Sequence, residues 1–252
     1  MIIAVANQKG GCGKTTTAQA IATGATHLGL KSLAIDFDAQ CNLSFSMGGN
    51  SGDIGIYELI TGQCKPGQAI QHTAQGDIIT SNIKMALSDT DFKGDARLYA
   101  LKLAIEPIKK KYDIITIDCA PTLNTLLLNA LMAADKVIIP LTADMFALSG
   151  LYQLAESIKN AQKLNTELEF AGVLFTKHNT RTVLSRELTD VIKDKCKEMN
   201  IPVLKTTISE SVAVREAQTQ REALIEYAPK SKPAIEYMAL LKELGITAYN
   251  KK

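Results

Sequence analysis

The chain has 252 residues, 46% of them hydrophobic, enough to bury a sizeable core within the length that one α/β domain occupies. Its net charge of +2, from 28 basic and 26 acidic residues, is too balanced to mark a nucleic-acid binder by global electrostatics, although a local patch stays possible. The five cysteines show no C-x-x-C spacing, and there is neither a signal peptide nor an 18-residue apolar span, so a disulfide scaffold and a membrane-spanning class are excluded and a cytoplasmic protein with reduced thiols is expected.

The chain opens on an apolar run, Ile2 to Ala6, and a helix-compatible run begins near Lys14. Between them stands Lys9-Gly10-Gly11-Cys12-Gly13-Lys14-Thr15-Thr16, so the order is strand, loop, helix. Glycines at 10, 11 and 13 let the backbone curl with its N–H groups inward. The helix start adds a positive dipole end, and Lys14 and Thr15 stand where a triphosphate and its Mg²⁺ need a cation and a hydroxyl. The strict phosphate-loop spacing wants glycine where Gln8 stands, and the crowded variant that replaces it adds Lys9 beside the loop. Cys12 fills a variable loop position, where packing is expected rather than redox chemistry.

Helical spacing continues from Thr15 to Gly29, through Ala18, Ile21, Ala22, Ala25 and Leu28. Leu33 to Ile35 is a short buried strand that ends in Asp36-Phe37-Asp38 and so delivers two carboxylates to a carboxyl edge, where open α/β sheets bind ligands. Residues 40–95 are harder to read: Ile56 to Thr61 is a helical turn, Gly62 to Gly67 a loop and Asp77 to Thr80 a strand. A helix is expected from about Asp95 to Lys111, with Pro107 near its end, followed by the strand Ile114 to Ile117. That strand ends in Asp118-Cys119-Ala120-Pro121, an apolar strand delivering an aspartate in the Walker B manner. Leu123 to Ala133 is a helix, Val137 to Pro140 a strand, Leu148 to Leu164 a helix and Leu168 to Phe175 a strand; then come a helix from Thr182 to Met199 and a short last strand from Pro202 to Lys205. Continuous apolar strands alternating with helices predict an α/β fold with a mostly parallel twisted sheet covered on both faces. No repeat or linker divides residues 1–252, which are expected to form one domain.

Several segments together resemble ParA/Soj-type partition ATPases of the ParA/MinD deviant Walker A family. They are Ala4 to Gly11, Asp36 to Asn42, Tyr112 to Pro121, Ser211 to Ala217 and Tyr227 to Ser231. Ala39 and Cys41 stand where the family pattern has proline and glycine, and Ala120 replaces a further proline, so the loop after Asp38 is expected to be less rigid. The residues and the resemblance jointly imply an ATPase using ATP and Mg²⁺. Gly10, Gly11, Cys12, Gly13, Lys14, Thr15 and Thr16 would cradle the phosphates, with Lys14 on the β and γ groups. Thr15 would hold the metal directly, and Asp36 and Asp118 through waters. The resemblance assigns Asp38 to the attacking water, and Lys9 to the partner's ATP across a nucleotide-sandwiching homodimer. It places adenine near Thr176-Lys177 and residues 208–213.

Such a partition protein would bind DNA non-specifically as its ATP dimer, associate with the nucleoid in that state, and work with a ParB-like centromere-binding protein. From Thr176 to Lys232 there are eleven Lys or Arg against eight Asp or Glu, a surplus of three. By periodicity alone this is equally a solvated amphipathic helix; the resemblance favours DNA, with Arg181, Arg186 and Arg215 as its contacts. The chain starts at the phosphate-loop strand, so the helix-turn-helix extension of larger partition ATPases is not expected. A MinD-like membrane-cycling ATPase would want a basic amphipathic C-terminal helix, whereas Gly245 to Lys252 is short and mostly polar, so no stable membrane insertion is expected. A nitrogenase-iron-protein-like electron donor would need suitably spaced cluster cysteines, and Cys119 follows directly on the Walker B aspartate.

Overall fold

The computed structural model describes residues 1–52, 54–87, 98–178 and 183–248. Eight strands form one sheet in the order β3-β4-β2-β5-β1-β6-β7-β8: β1 (Ile2–Val5), β2 (Ser32–Phe37), β3 (Ile70–Thr73), β4 (Gly76–Ile79), β5 (Ile114–Cys119), β6 (Lys136–Leu141), β7 (Glu169–His178) and β8 (Val203–Ser209). Every pairing is parallel except the β3–β4 hairpin. The central strands are mostly apolar because both faces are covered: in β1, Ile2, Ala4 and Ala6 face one core and Ile3 and Val5 the other, following the two-residue alternation of a strand.

The first core is closed by α3 (Ile56–Ile60), α4 (Pro66–Ala69), α5 (Ala100–Lys109), α6 (Thr125–Ala133), α7 (Ala147–Gln162) and α8 (Val183–Glu198). The second is closed by α1 (Lys14–His27), α2 (Asn42–Ser46), α9 (Val212–Gln220), α10 (Leu224–Tyr227) and α11 (Lys232–Glu243). Gly24 lets α1 and α11 approach closely, since a Cβ there would meet Leu241 Cδ2 at 2.8 Å. The buried Tyr237 of α11 shares a 3.3 Å hydroxyl contact with Thr17 of α1.

The doubly covered, mostly parallel sheet is the expected one, and the elements differ mainly at their margins. The helix expected from Asp95 begins at Ala100, the earlier start lying outside the described residues. The last strand runs on to Ser209 instead of ending at Lys205: as an edge strand it is only half covered, so Lys205, Thr206 and Thr207 dilute its apolar pattern. Beyond it lie three helices that the periodicity did not mark, two of them under ten residues.

Candidate functional site

β1 sits between β5 and β6, so the loop that follows it emerges at the middle of the carboxyl edge. The buried Asn7 anchors its start: Nδ2 donates to the Pro140 carbonyl at 2.6 Å, and Oδ1 accepts from the Lys9 amide at 3.0 Å. Gly11 and Gly13 adopt left-handed φ of 71° and 86°, the conformation that glycine reaches without strain. Nothing lies within 4 Å of a Cβ built on Gly10 or Gly11, so the loop borders open space at both. From below, Thr176 Oγ1 donates to the Cys12 carbonyl at 2.7 Å, tying the loop to β7. Cys12 is buried, its thiol pushed up by that burial and donating to the Lys9 carbonyl at 3.2 Å, in keeping with a packing role.

Lys14, the first residue of α1, is 7% exposed, and its Nζ donates to the Lys9 carbonyl at 3.0 Å. The first turn of α1 holds no acidic residue, so the positive end of the helix is left uncompensated by side chains. Behind it, the register of β2 on β5 sets Asp36 beside Asp118. Asp36 is fully buried. Its Oδ2 accepts from the Ser44 amide and hydroxyl at 2.7 Å each, and its Oδ1 accepts from the Asp38 amide at 3.2 Å. Burial still pushes its carboxyl up to about 6.

Asp118 is 1% exposed and neither carboxyl oxygen has a hydrogen-bond partner. Burial first, and then the charge of Asp36, hold it well above the ordinary carboxylate range, against the influence of the Thr15 hydroxyl and Lys14. A buried pair of neighbouring carboxylates, one of which has both oxygens orphaned, is a place where a cation relieves the cost of burial. Among the described residues no three His, Cys, Asp or Glu side chains converge on one point, so the donor set is one hydroxyl, Thr15, with carboxylates behind it. That sparse oxygen set fits Mg²⁺, which keeps several of its waters.

Above this floor lies a cleft of about 470 Å³. Gly10, Gly11, Gly13, Lys14, Thr15, Thr16 and Asp38 line it, together with Thr176, Lys177 and residues 208–211. Val214, Arg215 and Gln218 of α9 close the side, where Gln218 Nε2 donates to Thr16 Oγ1 at 3.1 Å. Asp38 is half-buried and accepts the Gln40 amide at 3.0 Å. The structure thus gathers the predicted loop residues, Asp36, Asp38 and Asp118 at one edge. Lys9 lies outside the cleft wall, paired through Nζ with Asp144 Oδ2 of the same chain. Arg215 lines the cleft, Arg186 is exposed on α8, and Arg181 lies outside the described residues.

A model of the family described as "AAA domain" matches residues 1–170, and one described as "4Fe-4S iron sulfur cluster binding proteins, NifH/frxC family" matches residues 124–249. The sporulation initiation inhibitor protein Soj of Bacillus subtilis is 35% identical over 250 residues, covering 97% of this chain and 98% of that protein. The chain belongs to the ParA/Soj family of partition ATPases. Solved structures agree with the family's P-loop fold. The cobyrinic acid a,c-diamide synthase of Mycobacterium smegmatis, with bound ADP and magnesium, superposes with a TM-score of 0.84 at 32% identity, covering 97% of this chain and 95% of that one. A putative plasmid partition protein from Borrelia burgdorferi, bound to AMPPNP, gives 0.81 at 26% identity, covering 96% and 97%.

The iron–sulfur match is one of fold. Cluster ligation needs cysteine thiolates, and the one cysteine in 124–249, Cys196, is buried with its thiol pushed up to about 11. In this ParA/Soj-family ATPase several site residues escaped sequence reasoning. Ser44 bonds Asp36 across the β2–α2 turn and Gln218 reaches Thr16 from a distant segment, contacts that no local pattern announces. Asp144 did carry a signal: it stands three residues past β6, at the same edge to which β2 and β5 deliver their aspartates.

Proposed function

We propose that this protein is a partition ATPase that closes as a homodimer on Mg-ATP, binds DNA non-specifically in that state, and segregates a DNA cargo with a ParB-like centromere-binding partner. The observation that carries the reading is Lys14 and Thr15 at the start of a helix with no acid in its first turn, set over the orphaned carboxylate of Asp118. Lys14 leaves the Lys9 carbonyl to meet the β- and γ-phosphates, and the loop amides and helix end hold the remaining oxygens. Thr15 would hold magnesium directly, with Asp118 and Asp36 behind it through waters; when bound, the metal neutralises charge on the β and γ oxygens. Asp38, half-exposed in the cleft, accepts a hydrogen bond from the attacking water and aims it at the γ-phosphorus. Thr176, Lys177 and residues 208–211 border the remainder of the cleft, where the adenosine would lie.

Arg186 and Arg215, with Arg181, supply the DNA face of the dimer. No helix among the described residues is long and apolar enough to cross a membrane, and the proposed site of action is the cytoplasm, on the nucleoid when ATP is bound. Co-sedimentation tests the reading. Wild type and Asp38→Ala, which keeps ATP because Asp38 holds only water, should pellet with DNA in the presence of Mg-ATP, and Asp38→Ala the longer. Pelleting with anionic vesicles and not with DNA would instead identify a MinD-like membrane-cycling ATPase.

A further inference from the structure

Lys9 is the cation assigned above to the partner's nucleotide, yet within the single chain its ammonium is held by Asp144 Oδ2, with 44% of the lysine and 30% of the aspartate side chain exposed. The other oxygen, Oδ1, accepts the Phe146 amide at 3.0 Å, and the Asp144 carbonyl accepts the Ala147 amide at 3.1 Å. One side chain therefore fixes both Lys9 and the turn that opens α7. That turn presents Met145 and Phe146 at 76% and 79% exposure, the two most exposed large apolar side chains among the described residues.

We propose that Asp144 is a positioning residue, a latch that stores Lys9 against its own chain and must release it before two chains close over nucleotide. This inference rests on the dimer reading above. Lys9 carries one charge, and the Asp144 carboxylate and a partner's γ-phosphate are rival anions for it, so each protomer must give up an ion pair before its lysine can cross. The latch sets a threshold: at low nucleotide occupancy the chain stays single, and Lys9 and the Met145–Phe146 turn are released together when phosphate outcompetes the carboxylate. Exposed ion pairs shift an equilibrium by less than about fivefold each, and two latches open per dimer.

The test is the monomer–dimer midpoint of the full chain by sedimentation velocity with saturating AMPPNP and magnesium. Asp144→Asn keeps an acceptor for the Phe146 amide but removes the charge, and should lower the midpoint about 2- to 25-fold. Asp144→Glu keeps the charge within reach of Lys9 and should stay within about twofold of wild type. The gap between wild type and Asp144→Asn should narrow at high salt, which screens the exposed pair. AMPPNP affinity of the dilute monomer should be unchanged in both variants.

A role confined to capping the turn gives the reverse order, with Asp144→Asn like wild type and Asp144→Glu impaired, and that result overturns the latch. So does an unchanged or raised midpoint in Asp144→Asn while wild type dimerises normally. A wild type that stays monomeric with AMPPNP overturns the dimer reading, and the latch with it.

Discussion

At the scale of single residues, the chemistry is concentrated in two side chains of opposite character that the fold has removed from water. Lys14 is nearly buried and its amine rests on one backbone carbonyl, which in the proposed reading stands in for phosphate oxygens. Lys14→Ala should abolish measurable hydrolysis and weaken ATP binding by roughly 1.5–3 kcal/mol, the net worth of a charge-assisted contact; wild-type turnover in that variant would sink the assignment of the whole site. Asp118 is the reverse case, a carboxylate whose oxygens meet no donor. Because its carboxyl is raised in the folded chain, folding takes up protons, so this group favours the fold at low pH and costs stability as pH rises. Asp36 adds the same sign between its ordinary 3.8 and about 6. Asp118→Asn should therefore raise the stability of the nucleotide-free protein at pH 7.5 by about 1–3 kcal/mol, flatten its loss of stability from pH 5 upward, and still eliminate hydrolysis. Thermal melts across pH would read this, and a destabilised variant would show that Asp118 is not an uncompensated charge. Lys14, Thr15 and Asp118 were legible in the sequence because each sits in a contiguous strand–loop motif. Ser44 was not, and Asp144 showed only its place at the carboxyl edge, because an aspartate or serine near a helix start looks the same whether it caps, pairs with a cation or ligates.

At the scale of elements, what the sequence revealed was the part built from continuous apolar runs. β1, β2, β5 and β6 are buried over nearly all of their length and β7 over its middle, and a mostly parallel sheet follows once they are alternated with helices. The hairpin partner β3 and helix α2 were hidden because four or five half-polar residues give no period to count. Yet α2 is central to the site, since its Ser44 holds Asp36. The departures from the family pattern at Ala39 and Cys41 bear on this helix: Cys41 is its N-cap, at a left-handed φ of 56°. A non-glycine residue there costs about 1–2 kcal/mol, partly offset by the entropy that glycine loses on folding. Cys41→Gly should accordingly stabilise the protein by about 0.5–1 kcal/mol, seen as a small rise in melting temperature with ATP affinity unchanged. A lower melting temperature would mean that packing of the half-buried thiol outweighs the backbone strain.

At the scale of the whole molecule, a net charge of +2 must be reconciled with DNA binding, and the structure makes the constraint tighter than the sequence did. Two of the lysines counted towards a basic patch are neutralised within α8, Lys193 by Asp190 and Lys195 by Glu198. Lys232 leans 3.6 Å from Glu236. Arg186, exposed on the first turns of α8, remains a candidate for phosphate contact, and Arg215 stands at the rim of the nucleotide cleft. Affinity would come from duplication: a face too weak in one chain counts twice when ATP joins two chains, so DNA binding follows dimerisation. Each phosphate contact contributes about 0.9 to the slope of log affinity against log salt, so Arg186→Ala should flatten that slope by about 1.8 per dimer, weaken binding evenly across sequences, and leave nucleotide affinity and dimerisation near wild type. Arg215→Ala should flatten the slope in the same way. Its place in the cleft makes its variant the sharper test: if nucleotide affinity falls while the salt slope holds, Arg215 serves the nucleotide, and Arg186 must be joined by cations from another face to complete the DNA surface.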